Sequence, residues 1–346
     1  MAPELRRVIK PQIGLPGRHA MAVQASTGTL RHAGRSQRLY RLQRRRRSHE
    51  SRSGCTMTVH ALLAQKFSMS VDLHTHSSAS DGVLSPPMLL ARARHNGVAM
   101  LALTDHDNVA GVRELQQLTA QPQDPELVAG VEISAQASGQ DVHVVGLWID
   151  ADCPALGSLL GAQAVLRGAR AQAIGERLAR KGLADCYAGA LLQADGAAVS
   201  RPHFARHLVA AGHCRDESQA FKRWLGRGKA GDVRCEWPGL ASANAAIHAA
   251  GGLAVLAHPL KYRLSRTRLD RLLAEFREAG GDAVELVSGA QAPHAATDLL
   301  KLMDRYQLVA STGSDFHSPA QTWCDVGQQL ALPRQATAVW ELRGAA

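Results

Sequence analysis

The 346-residue chain is 45% hydrophobic and 20% charged, with a formal net charge of +10, enough material for one large domain or two medium ones. Residues 1–56 hold 13 of the 40 Lys/Arg and two of the 30 Asp/Glu, so the rest of the chain carries 27 basic and 28 acidic side chains, and a global basic field that would draw a polyanion is excluded for the folded part. No apolar run approaches the ~18–20 residues of a membrane helix, and six scattered cysteines without a C-x-x-C pair exclude a disulfide framework or cysteine zinc site and suit a reducing cytoplasm.

The head, residues 1–56, includes Arg44-Arg45-Arg46-Arg47 and little apolar periodicity. It reads as a disordered basic arm, a targeting peptide, or translated sequence upstream of a start at Met57 or Met69, of which Met57 is the better placed. From Met69 onward strand and helix patterns alternate. Ser70–Leu73 is the first strand, and it runs into His74-Thr75-His76 and then Ser80-Asp81-Gly82. In an extended backbone residues i and i+2 share a face, so His74 and His76 can hold one ion together while Asp81 returns on the next turn. Taken alone, the stretch also fits two loop histidines beside a polar turn.

Pro86-Pro87 opens a helix to Arg94, and Val98–Leu103 is a short apolar strand that stops at Thr104-Asp105-His106-Asp107. A helix through Leu118 precedes a strand over Leu127–Ile133, containing Glu132, and another over Asp141–Ile149, with His143 near its start. Residues 154–240 are Ala- and Arg-rich with helical spacing and read as a helical insertion that divides a barrel into a first part, 57–153, and a second, 241–346. Inside the insertion, Ser200 can cap a helix whose first turn holds Arg201, Pro202 and His203; helix N-termini attract phosphate.

Alternation resumes with a helix at Ala241–Ala250 and a strand ending at Ala257-His258-Pro259. A helix bearing Leu269, Leu272, Leu273 and Phe276 leads to the strand Ala283–Val287, and a last helix leads to Leu308–Thr312, ending at Gly313-Ser314-Asp315-Phe316-His317. This order predicts a mostly parallel sheet in a closed or nearly closed α/β barrel, where strand C-termini converge on the active site. The ionisable clusters fall at such ends; His143 is the exception. Six imidazoles and three carboxylates (His74, His76, Asp81, His106, Glu132, His143, His258, Asp315, His317) exceed the four to six donors of one ion and suit two or three, with Zn²⁺, Mn²⁺ or Fe²⁺ all compatible.

These motifs, in order over residues 69–320, resemble those of the polymerase-and-histidinol-phosphatase (PHP) metallophosphoesterases. The resemblance implies a distorted (β/α)7 barrel and a trinuclear centre, with Mn²⁺ the favoured metal. Carried over by motif, His74, His76, Glu132 and Asp315 would hold one ion. Glu132, His143 and His258 would hold a second, and Asp81, His106 and His317 a third. The insertion, Arg201-Pro202-His203 and His258-Pro259-Leu260-Lys261-Tyr262 look most like the subgroup of nucleoside 3′,5′-bisphosphate phosphatases, also associated with 5′→3′ exoribonuclease activity. That implies hydrolysis of a nucleoside 3′,5′-bisphosphate or short 5′-phosphorylated RNA by a metal-activated hydroxide. Arg201, His203 and Lys261 would contact substrate phosphate, and either His203 or a metal-bound water would donate the leaving-group proton. No membrane association and no obligate protein partner is expected. The rivals are a histidinol-phosphate phosphatase and a non-catalytic nucleotide- or RNA-binding protein with an inert metal site.

Overall fold

The computed structural model describes residues 70–343; the basic head, both candidate start methionines and Cys55 lie outside them. Seven strands form one sheet in sequence order: β1 (Ser70–Asp72), β2 (Val98–Leu103), β3 (Glu126–Ala137), β4 (Gln140–Leu147), β5 (Leu253–Leu256), β6 (Ala283–Ser288) and β7 (Val309–Gly313). Edge strands β1 and β7 approach closely enough for the Leu73 N–H to donate to Thr312 O at 3.0 Å and the His76 N–H to Phe316 O at 2.9 Å, giving a nearly closed barrel. Its interior is filled by Val71, Leu73, Met100, Ala102, Val128, Val145, Val255 and Val309.

The sheet is mostly parallel, as the alternation predicts, with one reversed strand. β4 runs antiparallel to both β3 and β5, while the other pairs are parallel. The cause is local: only Ser138 and Gly139 separate β3 from β4, both at positive φ (49° and 74°). That is the two-residue primed turn whose twist matches a hairpin, too short for a parallel crossover. The reversal also explains His143. Because β4 is inverted, its beginning lies at the end of the barrel where the parallel strands finish, and His143 pairs in register with Ser134 on β3.

Outside the strands lie α1 (Pro86–His95), α2 (Ala110–Gln116), α3 (Pro154–Ala179), α4 (Cys186–Ala194), α5 (Arg201–Ala210), α6 (Glu217–Ala220), α7 (Leu240–Ala249), α8 (Arg266–Glu278) and α9 (Pro293–Tyr306). Helices α1, α3 and α9 begin with proline in the first turn, where its missing N–H costs no hydrogen bond. α8 buries Leu269, Leu272, Leu273 and Phe276 against the barrel, each worth roughly 1.5–3 kcal/mol. The 26-residue α3 serves two cores: Leu156 and Leu160 join the barrel's outer layer, whereas Ala171, Ile174 and Leu178 found a second, smaller core with Phe204, Leu208 and Leu225. Between them Gln163 Nε2 donates to Ser134 O (2.6 Å), and Arg167 Nε to Asp107 Oδ2 (2.6 Å), fixing the inserted helices to β3. None of the described helices is long and apolar enough to cross a membrane, and the five described cysteines are free thiols.

Candidate metal centre

All nine predicted donors converge at one end of the barrel. His74 and His76 leave β1, His106 follows β2, His258 follows β5, and Asp315 and His317 follow β7. Glu132 lies mid-strand, since β3 continues five residues beyond it to the hairpin, and a single bridge joins it to His106. Asp81 sits on a loop pinned by buried Asp105, which accepts from the Ser77 N–H (2.8 Å), Ser77 Oγ (2.7 Å) and Ser80 Oγ (2.6 Å). His258 and Asp315 hold positive φ (30° and 53°), unusual for non-glycine residues and typical of backbone strained to aim a functional side chain.

One triad, His74, His76 and Glu132, is compact, with Asp315 next to it. His74 Nε2 lies 3.1 Å from His76 Nε2; Glu132 Oε2 lies 3.3 and 3.2 Å from these two nitrogens, and Asp315 Oδ1 lies 3.6 and 3.4 Å from them. Ligands at about 2.0–2.1 Å around a tetrahedral ion are about 3.3–3.4 Å apart, so His74, His76 and Glu132 have the spacing of a coordination shell, and Asp315 lies beside both imidazoles. Glu132 Oε1 is 2.9 Å from both His143 Nδ1 and His258 Nε2. Asp81 Oδ1 is 3.4 Å from His317 Nε2, and its Oδ2 is 3.8 Å from His106 Nε2. The atoms fall into overlapping groups, His76/Asp81/His106/His317, His74/His76/Glu132 and His106/Glu132/His143, each able to hold an ion.

The polar accounting fits cations. His76 Nδ1, Asp81 Oδ1, His106 Nδ1, Glu132 Oε2 and His258 Nδ1 are buried with no hydrogen-bond partner, which ordinary interiors rarely tolerate. His106 Nδ1 and Glu132 Oε2 are 2.9 Å apart, yet out of hydrogen-bonding alignment. Burial alone would raise Glu132, but His106, His143 and His74 outweigh it and hold the carboxyl well below its usual range. Burial likewise opposes charge on His76, yet the Asp315 and Glu132 carboxylates beside its Nε2 carry its pKa up to about 10. The cluster draws positive charge inward.

The predicted phosphate-contact residues are placed differently. Lys261 Nζ lies 2.5 Å from Asp315 Oδ2, its pKa raised because Asp315 and Glu285 outweigh burial. Arg201 starts α5 half-buried, beside Arg170, whose pKa falls to about 10 through burial and the Arg201 and Arg167 charges. His203 is buried in the third position of α5; its Nδ1 accepts the Ser200 N–H at 2.9 Å, filling the role Glu or Gln takes in a capping box. Burial, then the neighbouring Arg206 charge, push its pKa down to about 4, so the imidazole is neutral near pH 7.

Several contributors were not singled out by sequence. Glu285 Oε2 accepts the His258 N–H (2.6 Å) and faces His74 Nδ1 (3.2 Å), orienting two donors at once. A lone acid within the apolar Ala283–Val287 run was its available signal. Arg206 donates to Asp81 O at 2.6 Å, and Arg167 bridges Asp107 and Ser134. A pocket of about 330 Å³ adjoins the donors, lined by Asp81, Asp315 and His317 on one side and by Arg206, Phe221 and Trp323 around them.

Known proteins share this fold and much of this sequence. Residues 72–216 match the family model described as PHP domain. The chain is 43% identical over 270 residues to a 5′-3′ exoribonuclease of Haemophilus influenzae, spanning 78% of this chain and 97% of that protein. It is 41% identical over 274 residues to a 3′,5′-nucleoside bisphosphate phosphatase of Chromobacterium violaceum, spanning 78% and 95%. A solved amidohydrolase from Chromobacterium violaceum, with bound sulfate and no metal, superposes with a TM-score of 0.75 at 39% identity, covering 80% of this chain and 96% of that one.

Proposed function

The chain belongs to the PHP domain family, and from that premise we propose that it is a metal-dependent phosphoesterase acting on nucleoside 3′,5′-bisphosphates, on short 5′-phosphorylated RNA, or on both. The observation that carries the reading is the convergence of nine His, Asp and Glu donors, several of them buried and unpartnered, beside a pocket whose lining includes Arg206 and Lys261. We assign His74, His76, Glu132 and Asp315 to one ion, Glu132, His143 and His258 to a second, and Asp81, His106 and His317 to a third, with Mn²⁺ the favoured metal. Bound there, divalent ions supply neutralisation of phosphoryl charge and activation of water near neutral pH.

The chain's own residues do the rest. Lys261, at the mouth of the site, offers its ammonium both to Asp315 and to a phosphoryl oxygen arriving in the pocket. Arg201, with Arg170 beside it, is assigned to a second phosphate, although neither is among the residues that line the pocket. His203, neutral and fixed through Nδ1, is assigned to orient substrate oxygen or serve the leaving group, a role that requires its ring N–H to leave the Ser80 backbone it now faces. A pocket of about 330 Å³ is at the small end for a ligand site and suits one nucleotide at a time, consistent with a mononucleotide or the end of an RNA.

The test is an assay of Mn²⁺-loaded protein with adenosine 3′,5′-bisphosphate and a 5′-phosphorylated RNA pentamer, histidinol phosphate serving as control. Phosphate release or stepwise shortening that fails without the 5′-phosphate is the expected result. Turnover of histidinol phosphate alone would replace the substrate assignment, and no turnover despite bound metal would favour a binding protein.

A further inference from the structure

Trp323 is out of place for its residue type. Among the five tryptophans, Trp237 is buried and Trp148, Trp224 and Trp340 are partly buried, whereas Trp323 is 67% exposed. A tryptophan rarely leaves that much apolar ring in water without a use for it. The segment carrying it is not loose. On one side Gln321 Oε1 accepts the His317 N–H (3.3 Å); on the other Cys324 is buried and Asp325 is gripped by Arg92 through two bonds of 2.6 and 2.8 Å. The indole is thus presented on an anchored support, on the lining of the pocket that also contains Asp81, Asp315 and His317. Phe221, half-buried at the end of the inserted helices, lines the same pocket.

We propose that Trp323 is the stacking platform for a nucleobase. The pocket between insertion and barrel then holds one nucleoside with its phosphate directed at the donor cluster. The proposal rests on the phosphoesterase reading above and adds what that reading lacks, a reason for a nucleotide to be preferred over a bare sugar phosphate. Every base has a π-face, so a single indole gives affinity without strong preference among the four bases, as end-directed RNA degradation requires. A polar group of the pocket, the unpartnered Ser288 hydroxyl, is available to a base or ribose edge.

The experiment compares adenosine 5′-monophosphate with ribose 5-phosphate, the same phosphate without the base, as ligands of the metal-loaded full chain, by calorimetry and tryptophan fluorescence. Wild type should bind the nucleotide on the order of tenfold more tightly, with quenching of emission. Trp323→Ala should erase that advantage while ribose 5-phosphate binds as before, and Trp323→Phe should retain most of it. Equal affinity for the two ligands in wild type, or an advantage surviving in Trp323→Ala, overturns the platform. Hydrolysis of nucleotides with an advantage insensitive to residue 323 discards the platform alone. A Trp323-dependent advantage in a protein that hydrolyses no nucleotide keeps the platform and discards the phosphoesterase reading.

Discussion

Replacing Glu285 by Gln keeps the shape of a fully buried side chain and removes only its charge. In the native protein one oxygen, Oε2, takes the His258 N–H at 2.6 Å and meets His74 Nδ1 at 3.2 Å, while Oε1 has no partner. Hydrogen bonds to a charged acceptor are worth about 1.5–3 kcal/mol, roughly twice neutral ones. A Gln carbonyl can still serve His258, but as the weaker acceptor, and His74 loses the carboxylate that fixes its ring. The expected cost to metal binding is about 1–2 kcal/mol, roughly 5- to 30-fold in affinity, overlapping the lower part of the roughly 10- to 100-fold range found when outer-layer partners of metal ligands are changed. Calorimetric titration of Mn²⁺ into metal-stripped protein reads this directly, with circular dichroism to establish that the barrel persists. Glu278→Gln, on the exposed side of α8, is the matched control. If Glu285→Gln binds Mn²⁺ within twofold of wild type, the carboxylate does not position these donors and the reasoning fails.

His76→Ala should lower phosphoesterase activity to background while leaving the circular dichroism spectrum unchanged; turnover within tenfold of wild type would refute the donor set. Gly313→Ala would place its Cβ onto His74 Cβ and 2.9 Å from Glu285 Oε1, so we expect a loss of about 1–3 kcal/mol in stability and weaker Mn²⁺ binding, measured by thermal melting and calorimetry. His203 has a folded pKa near 4 against about 6.5 when exposed, so the unfolded chain binds the extra proton between those values. Its contribution is therefore full above pH 6.5 and lost as pH falls toward 4, and the ring ¹⁵N shifts should titrate near 4; an inflection near 6.5 would contradict the burial argument.

Most of the candidate donors were legible because apolar runs stop near them: Val98–Leu103 ends before Asp105-His106, and Leu253–Ala257 at His258, whereas Glu132 and His143 lie within strands. Barrel architecture then made their convergence predictable. The direction of β4 was not legible from its residues, since a strand buried on both faces reads alike either way; only the Ser138-Gly139 turn betrays it. Arg206 and Arg167 escaped for another reason. Their partners, Asp81 O and Asp107, are more than 50 residues away, and no local pattern distinguishes an arginine that will turn inward from one that stays in water. Trp323 lies in a segment without periodicity, where neither helix nor strand spacing could assign it a face.

The meeting of β1 and β7 ties assembly to competence. Ser314 N–H reaches Asp72 Oδ1 across 242 residues, and Asp315 N–H reaches His74 O at 2.9 Å, so backbone groups of the donor residues are themselves the stitches of the barrel's last joint. Closing a loop of that length costs about 5 kcal/mol in chain entropy before any contact rewards it. A nascent or refolding chain can therefore bury most of its hydrophobic layers while His74 and Asp315 are still apart, and it remains chemically silent until its two ends join. Recovery of activity is expected to lag the return of secondary structure when refolding is followed by both signals.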